Sequence, residues 1–135
     1  MIAVVCVDDR NGMLFNQRRV SRDRAQQEDL LALCGGDKLW INGFSAKLLE
    51  PFADRIIVDE DFLRLAGPGT YCFVENQPLL PWQERLEGVI LYRWNREYPS
   101  DVKLDLDLTG FELRERVEFP GSSHGRITRE IYVKQ

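Results

Sequence analysis

The chain has 135 residues, a formal net charge of −4, 44% hydrophobic residues and 30% charged residues, which is the size and composition of one globular domain spanning residues 1–135. The acidic balance and the lack of an extended basic block disfavour a nucleic-acid-binding protein, and no apolar stretch approaches the ~20 residues of a membrane span. A single histidine, His124, cannot assemble a metal site alone, so the sequence predicts no metal centre.

The first two-thirds of the chain alternate predicted strands and helices, with residues 13–21 as a long loop. The predicted strands are apolar runs at residues 2–8, 38–42, 55–58, 70–74 and 88–94. Predicted helices cover residues 22–34, with Ser21 as the N-cap, residues 44–50, and a short segment from Asp59 to Leu65. This alternation implies crossover connections and a mainly parallel sheet.

The last third has the period-2 alternation of half-exposed strands. Apolar and charged residues alternate over residues 102–108, the pattern resumes over residues 111–117, and a final strand closes the chain at residues 127–133. The small, polar segment 121–125 predicts a hairpin turn. The predicted fold class is therefore a three-layer α/β protein with a mainly parallel mixed sheet and antiparallel C-terminal strands.

This order of elements resembles that of the dihydrofolate reductase family over almost the whole chain. Residues 2–13 resemble the family's first strand and the start of its active-site loop, and residues 38–45 resemble a strand that ends in a glycine at a nucleotide-facing helix. Residues 70–76 resemble the strand that leads to the family's glycine pair, and residues 88–119 follow the spacing of its late strands. The resemblance implies a dihydrofolate reductase-like fold.

The resemblance also implies one candidate catalytic residue. Asp23 falls close to the carboxylate that the family places at the start of its first helix, where it grips the pterin and assists protonation. The preferred interpretation from the residue type alone is an acidic residue in the first helical turn, stabilised by the helix dipole.

Several other positions depart from the family's pattern. Phe44 stands where the family has an arginine for the cofactor phosphate, and Val102 stands where a threonine would hydrogen-bond the carboxylate. Glu75, between Val74 and Asn76, replaces glycines that let the backbone approach a pyrophosphate. A carboxylate there would repel and block the nucleotide. The sequence therefore predicts no cofactor, and NADPH belongs only to the alternative hypothesis of an active reductase.

The cleft implied by the resemblance leaves a set of candidate ligand-binding residues. They are Val5, Arg19, Asp23, Asn42, Ser45, Val74 and Glu75. The first hypothesis is a protein without reductase activity that binds an unknown small molecule or a protein partner. The alternative is an NADPH-dependent reductase of a pterin- or flavin-like substrate with Asp23 as proton donor. A weaker alternative is an RNA-binding or nuclease role for the arginines at positions 10, 18, 19, 22 and 24.

Two further features have ordinary structural interpretations. Cys6, Cys34 and Cys72 lie far apart in apolar segments, which predicts reduced, buried thiols in a soluble cytoplasmic protein. Ser123 and His124 are adjacent, but a serine next to a histidine makes no hydrolase without an orienting third group and an oxyanion hole. A ligand role for His124 stays open, since a histidine titrates near neutral pH.

Overall fold

The computed structural model describes all 135 residues. The strands, in chain order, are β1 (Ile2–Val7), β2 (Gly12–Phe15), β3 (Arg18–Arg19), β4 (Leu39–Ile41), β5 (Ile56–Val58), β6 (Tyr71–Phe73), β7 (Gly88–Arg93), β8 (Val102–Lys103), β9 (Phe111–Phe119) and β10 (Ile127–Lys134). The helices are α1 (Arg24–Cys34), α2 (Gly43–Ala46) and α3 (Phe62–Leu65), with 3₁₀ turns at Glu50–Arg55, Leu80–Arg85 and Leu108–Gly110. None of the helices has the length and apolar character that crossing a bilayer requires.

The central feature is a mixed seven-stranded sheet in the order β5-β4-β6-β1-β7-β10-β9. The strands from β5 to β7 are parallel to their neighbours, whereas β10 runs antiparallel to β7 and β9 antiparallel to β10. This confirms the prediction of an α/β chain with a mainly parallel sheet and antiparallel C-terminal strands. Strands β3, β2 and β8 form a separate three-stranded sheet.

Strand β1 shows why the apolar runs form buried strands. Its alternate residues Ala3 and Val5 belong to the apolar cluster that includes α3, while Val4 packs with Leu30 and Leu31 of α1 in a second cluster. Since successive side chains of a strand point to opposite faces, a run that is apolar at every position requires cover on both faces of the sheet. The two clusters provide that cover and fix the carboxyl edge of the sheet.

The segment 13–21 is a β-hairpin and not the predicted long loop. Strands β2 and β3 pair in the register Leu14↔Arg19 and Phe15↔Arg18, which leaves Asn16 and Gln17 as the two-residue turn. Both turn residues have positive φ, 52° and 66°, as a tight hairpin turn of the mirror-image type requires. The prediction was wrong because glutamine is not a residue that marks such a turn.

The predicted strand over residues 102–108 was also wrong in extent. Only Val102–Lys103 pairs, with β2, and the leucines that follow pack against the core from an irregular segment. Asp105 anchors this segment, because its carboxylate accepts hydrogen bonds from the amides of Leu79 and Leu80 at 2.9 and 3.1 Å. The alternation of leucines therefore reflects packing on the core and not a longer strand.

The helix predictions need smaller corrections. α1 begins at Arg24, and its N-cap is Asp23 rather than Ser21, because the Asp23 carboxylate accepts the amide hydrogen of Gln26 at 3.2 Å. The helix predicted over residues 44–50 is only the four-residue α2, followed by a 3₁₀ turn that contains Pro51. Asp59 accepts from the Asp61 amide at 2.8 Å, but α3 starts at Phe62, after Asp61.

Candidate functional site

The carboxyl ends of the parallel strands bring polar residues to one edge of the sheet. Asn42 follows β4, Glu75 lies just beyond β6, and Trp94 follows β7. In sheets of this type, ligands bind in the crevice at this edge. Two groups of side chains occupy it here, one around Glu75 and one around Asp23 and His124.

Glu75 is the centre of the first group. Arg19 holds its carboxylate with two hydrogen bonds, from Nε at 2.8 Å and from Nη2 at 3.0 Å. The Ser45 hydroxyl donates a third at 2.7 Å. The Arg19 guanidinium also donates to the carbonyl of Phe44 and lies 4.8 Å from the centroid of its ring. The ion pair thus joins the β2–β3 sheet to the start of α2.

Asn42 secures the same corner of the sheet. Its Oδ1 accepts from the amide of Ser45 at 3.3 Å and caps α2, while its amide group donates to Asn76 Oδ1 at 2.8 Å. These bonds fix the Ser45 hydroxyl toward Glu75. The Glu75 carboxylate consequently lies beside α2 and accepts from the side chains of Arg19 and Ser45.

Behind the ion pair the crevice is almost filled. A cavity of about 10 Å³ remains, which is room for about one water molecule. It is lined by Cys6, Met13, Arg19, Val20, Ser21, Val74, Glu75 and Trp94. A pterin or nicotinamide ring does not fit in this space as it stands.

Asp23 is the centre of the second group, and its carboxylate is buried. Oδ1 accepts from the amides of Gln26 and Ser122 at 3.2 and 3.0 Å, and Oδ2 accepts from the amides of Ser123 and His124 at 2.8 and 3.2 Å. Burial alone would raise the pKa of Asp23, but the backbone amides and the His124 side chain outweigh it and lower that pKa well below its ordinary value. Asp23 is therefore an ionised carboxylate at neutral pH.

His124 connects Asp23 to two hydroxyl groups. Its Nδ1 lies 3.0 Å from Asp23 Oδ2, and its Nε2 lies 2.9 Å from Ser21 Oγ and 3.0 Å from the Tyr98 hydroxyl. The imidazole stacks on the indole of Trp94, with 4.6 Å between ring centroids and an angle of 19°. His124 is buried, so the ring is held in one orientation by contacts on its face and at both nitrogens.

Gly121 makes this arrangement sterically possible. A Cβ atom at this position would lie 2.7 Å from Asp23 Oδ2, 2.7 Å from the His124 carbonyl oxygen and 3.0 Å from Ile127 Cδ1. The β9–β10 connection can therefore approach the start of α1 only with a glycine here. The connection turns a hairpin, as predicted, and also delivers a buried histidine to Asp23.

An open depression of about 600 Å³ lies beside these two groups. It is lined by Arg18, Arg19, Ser21, Arg22 and Phe44. Arg18 and Arg22 are exposed, and neither takes part in a salt bridge. The half-buried Ser21 lines both this depression and the narrow cavity, so it connects the solvent-exposed surface to His124.

The arginines of this part of the chain do not form one cluster. Arg10 pairs with Glu97 at 2.9 Å, and Arg24 lies 3.8 Å from Glu28 on the exposed side of α1. Only the three arginines at positions 18, 19 and 22 line the depression. The positive charge is therefore local, within a chain whose net charge is negative.

The structure places the sequence-derived candidates in three environments. Arg19, Asn42, Ser45 and Glu75 come together, and Val74 lines the narrow cavity beside them. Asp23 belongs to the His124 group. Val5 is fully buried in the apolar core and lines neither the cavity nor the depression.

Sequence reasoning missed the contact between Asp23 and His124, which are 101 positions apart. It also missed the partners of His124, because no local pattern connects the histidine to Ser21, Trp94 or Tyr98. The one available signal is the run of small residues before His124, which allows several backbone amides to converge on one carboxylate.

The three cysteines are not reactive nucleophiles. All three are free, as predicted, and Cys34 and Cys72 are buried as predicted, whereas Cys6 is only half-buried. Burial raises the pKa of Cys34 to about 11 and of Cys72 to about 12, and burial with the Glu75 carboxylate raises the pKa of Cys6. These thiols are protonated near neutral pH and are poor nucleophiles. No group of three or more histidine, cysteine or acidic side chains is placed to hold a metal ion.

Neither the comparison with protein-family models nor the comparison with curated proteins gives a match for this chain.

Proposed function

We propose that this chain is a diverged dihydrofolate reductase-like protein that binds a small anionic ligand and has no NADPH-dependent reductase activity. The mixed sheet, parallel from β5 to β7 and antiparallel at β10 and β9, agrees with the fold that the resemblance implies. The observation that carries the loss of nucleotide binding is the Glu75 carboxylate, which Arg19 and Ser45 hold beside α2. The arginine-lined depression next to it carries the anion site.

The Glu75 group argues against a bound dinucleotide. A pyrophosphate would need unobstructed backbone and a neutral or positive environment at this corner of the sheet. Here a side-chain carboxylate already accepts the hydrogen bonds of Arg19 and Ser45, and its charge would repel a phosphate. The crevice behind it holds about 10 Å³, so a nicotinamide would also lack space.

The state of Asp23 argues against the alternative reductase. A proton donor must carry a proton at the working pH and must reach the substrate. Both oxygens of Asp23 are taken by amide donors and by His124, and its lowered pKa keeps it ionised at neutral pH. Asp23 is therefore better suited to holding the β9–β10 connection than to protonating a pterin.

The depression beside the ion pair supports the binding of a small anion. Arg18 and Arg22 have no acidic partner within the chain, and Phe44 adds an apolar surface next to them. Guanidinium groups bind carboxylates and phosphates through paired hydrogen bonds. A volume of about 600 Å³ lies within the size range of small-molecule sites.

The test is thermal unfolding with inorganic phosphate and pyrophosphate as probes. We expect millimolar pyrophosphate to raise Tm more than the same ionic strength of sodium chloride, because a ligand that binds only the folded state stabilises it. The Arg18→Ala/Arg22→Ala variant should lose the shift. Arg64→Ala should keep it, since Arg64 is an exposed arginine on α3 that pairs only with Asp61.

The same assay includes NADPH. We expect it to shift Tm no more than pyrophosphate does at equal concentration, and we expect no oxidation of NADPH in the presence of dihydrofolate. A pyrophosphate shift that persists in the double arginine variant would overturn the proposed anion site. A larger, saturable shift with NADPH, or its oxidation, would overturn the proposed loss of reductase function.

A further inference from the structure

The contacts of His124 place three groups in the order found in serine hydrolases. Asp23 Oδ2 lies 3.0 Å from His124 Nδ1, and His124 Nε2 lies 2.9 Å from Ser21 Oγ. Because the ionised Asp23 can only accept, Nδ1 carries a hydrogen. In the neutral imidazole the single lone pair of Nε2 then faces the hydroxyls of both Ser21 and Tyr98. We propose that Ser21 is a nucleophile, with His124 as its general base and Asp23 as a positioning residue, and that it cleaves small esters.

The His124 imidazole has contacts on the face of the ring as well as at both ring nitrogens. Trp94 stacks on one face of the ring at 4.6 Å, and the Tyr98 hydroxyl contacts Nε2 at 3.0 Å. Four backbone amides in turn hold the carboxylate of Asp23. A general base works best when its ring and tautomer are preset by an orienting carboxylate, and these contacts preset both.

Ser21 is also accessible, as a nucleophile must be. Asp23 and His124 are buried, whereas Ser21 is half-buried and forms part of the wall of the arginine-lined depression. A substrate in the depression would meet the serine on one side, with His124 behind it. The depression has room for the acyl group, which the narrow cavity does not.

The depression that Ser21 faces is lined by hydrogen-bond donors. Arg18 and Arg22 line the depression without acidic partners. Donors placed near a nucleophile stabilise the negative charge that develops on an acyl oxygen, and guanidinium groups serve this role as backbone amides do.

The proposed reaction needs only the ester and water. Ser21 Oγ forms a bond to the acyl carbon while its proton moves to His124 Nε2. The ester carbon–oxygen bond then breaks, and the departing alkoxide takes the proton from His124 and leaves as the alcohol. Water then attacks the acyl carbon of the Ser21 ester and gives a proton to His124. The bond between that carbon and Ser21 Oγ breaks, Oγ takes the proton from His124, and the carboxylic acid is released.

The chemical class of the substrate follows from the depression. Its arginines favour an ester whose acyl or alcohol part carries a carboxylate or phosphate. This preference rests on the proposed anion site, whereas the nucleophile itself does not. The two can therefore be tested separately, with a neutral reagent for Ser21 and an anionic ester for the arginines.

The test of the nucleophile is labelling with a neutral fluorophosphonate, followed by intact mass measurement and peptide mapping. We expect one label, on Ser21, and none in Ser21→Ala. In His124→Gln, Ser21 should be labelled at least about 100-fold more slowly than in the wild type, as expected when a general base is lost. Ser100→Ala removes a hydroxyl that does not contact Ser21, His124 or Asp23, and it should be labelled on Ser21 like the wild type.

Folding of each variant is checked by circular dichroism, and Ser21→Ala removes only a half-buried hydroxyl. If the folded wild-type protein takes no label on Ser21 with excess reagent, or if a folded His124→Gln labels at the wild-type rate, the proposal is wrong. Should His124→Gln fail to fold, the labelling of Ser21 in the wild type against Ser100 still decides, because an unactivated serine does not react.

The test of substrate class compares the hydrolysis of p-nitrophenyl acetate with that of the mono-p-nitrophenyl ester of succinate, which carries a free carboxylate. We expect a higher kcat/KM for the succinate ester, a preference lost in Arg18→Ala/Arg22→Ala. Labelling of Ser21 without this preference would overturn the anionic substrate class but leave the nucleophile, and the pyrophosphate shift would still decide the proposed anion site. A pyrophosphate shift without labelling of Ser21 would overturn the nucleophile and leave the anion site.

Discussion

Two carboxylates at the same edge of the sheet, Asp23 and Glu75, are held in different ways. Backbone amides from the β9–β10 connection and from α1 surround Asp23, which is 2% exposed. Only side chains hold Glu75: the Arg19 guanidinium, itself 22% exposed, and the Ser45 hydroxyl. Asp23 is therefore held by backbone groups whose positions the fold fixes. Glu75 closes the crevice through side chains that can rotate.

The contacts of Asp23 are part of the fold, whereas the contacts of Glu75 could be replaced by contacts with a ligand. Amide donors cannot turn away from Asp23 without unfolding the connection that carries them, so the Asp23 group is rigid and suits the orientation of His124. The partners of Glu75 are side chains, and one of them, Arg19, also lines the open depression, where an anion could contact it. A ligand would thus compete at Glu75 and leave Asp23 unchanged.

The largest expected effect is the loss of stability in Asp23→Ala. The substitution removes the N-cap of α1 and leaves the buried amides of Gln26 and His124 without an acceptor. We expect the free energy of unfolding to fall by about 3–5 kcal/mol, the cost of leaving buried polar partners unpaired. Urea denaturation followed by tryptophan fluorescence measures it.

Glu75→Ala is the matched comparison for that experiment. It removes a carboxylate of similar position whose partners are side chains. We expect it to cost about 2 kcal/mol, which is more than an exposed ion pair contributes because the Glu75 side chain is only 10% exposed, and less than Asp23→Ala because Arg19 lines the open depression and can be hydrated. If Glu75→Ala destabilises the protein as much as Asp23→Ala does, the distinction between backbone-held and side-chain-held carboxylates does not hold.

The next effect is on the pH dependence of stability. The folded protein lowers the pKa of Asp23, so this group contributes stability at a pH above its unfolded pKa of about 3.9 and loses that contribution as the pH falls toward the folded value. We expect Asp23→Asn to have a shallower acid slope than the wild type below pH ~4, by up to ~1.4 kcal/mol per pH unit. Urea midpoints at several acidic pH values measure the slope.

Asp8 also has a lowered pKa, because the amides of Tyr98, Gly12 and Arg10 outweigh the effect of its burial. It remains in both proteins, and its contribution cancels in the comparison. Equal acid slopes for wild type and Asp23→Asn would show that Asp23 is not the group whose protonation destabilises the fold.

The sequence predicts the sheet better than it predicts the site. Strands such as β1 and β7 are recognisable because their apolar runs are local, and the antiparallel end follows from the alternation in β9 and β10. The Asp23–His124 contact was not predictable, since it depends on how β9 and β10 bring the connection back to α1. Asp23 itself was identified as a candidate through the resemblance, but its saturated environment emerges only from the packing.

Glu75 illustrates the opposite case. Its position after an apolar strand predicts a place at the carboxyl edge of the sheet, and the structure puts it there. Its partner Arg19 was among the candidates, yet the pairing could not be predicted because the β2–β3 hairpin that carries Arg19 was not recognised. Missing one turn at Asn16 and Gln17 therefore concealed one of the two contacts that close the crevice.

The smallest expected effect on stability comes from Glu75→Gln, which tests whether the charge of Glu75 competes with a bound anion. Glutamine keeps an oxygen for Ser45 or Arg19 and removes the charge, so the free energy of unfolding should fall by only about 1 kcal/mol. Arg19 then has no anionic partner, and pyrophosphate should bind about fivefold more tightly, as expected if about 1 kcal/mol of repulsion and competition is removed. Isothermal titration calorimetry measures the affinity.

Glu60→Gln is the control, because the Glu60 carboxylate also lies at the start of α2, where it accepts the Gly43 amide at 2.6 Å, but it does not contact Arg19. Both variants change the net charge of the chain equally. A gain in affinity in Glu75→Gln alone therefore identifies the release of Arg19 as its cause, since general attraction of anions would raise both. Equal gains in the two variants would assign the effect to net charge and remove Glu75 as the group that competes with the ligand.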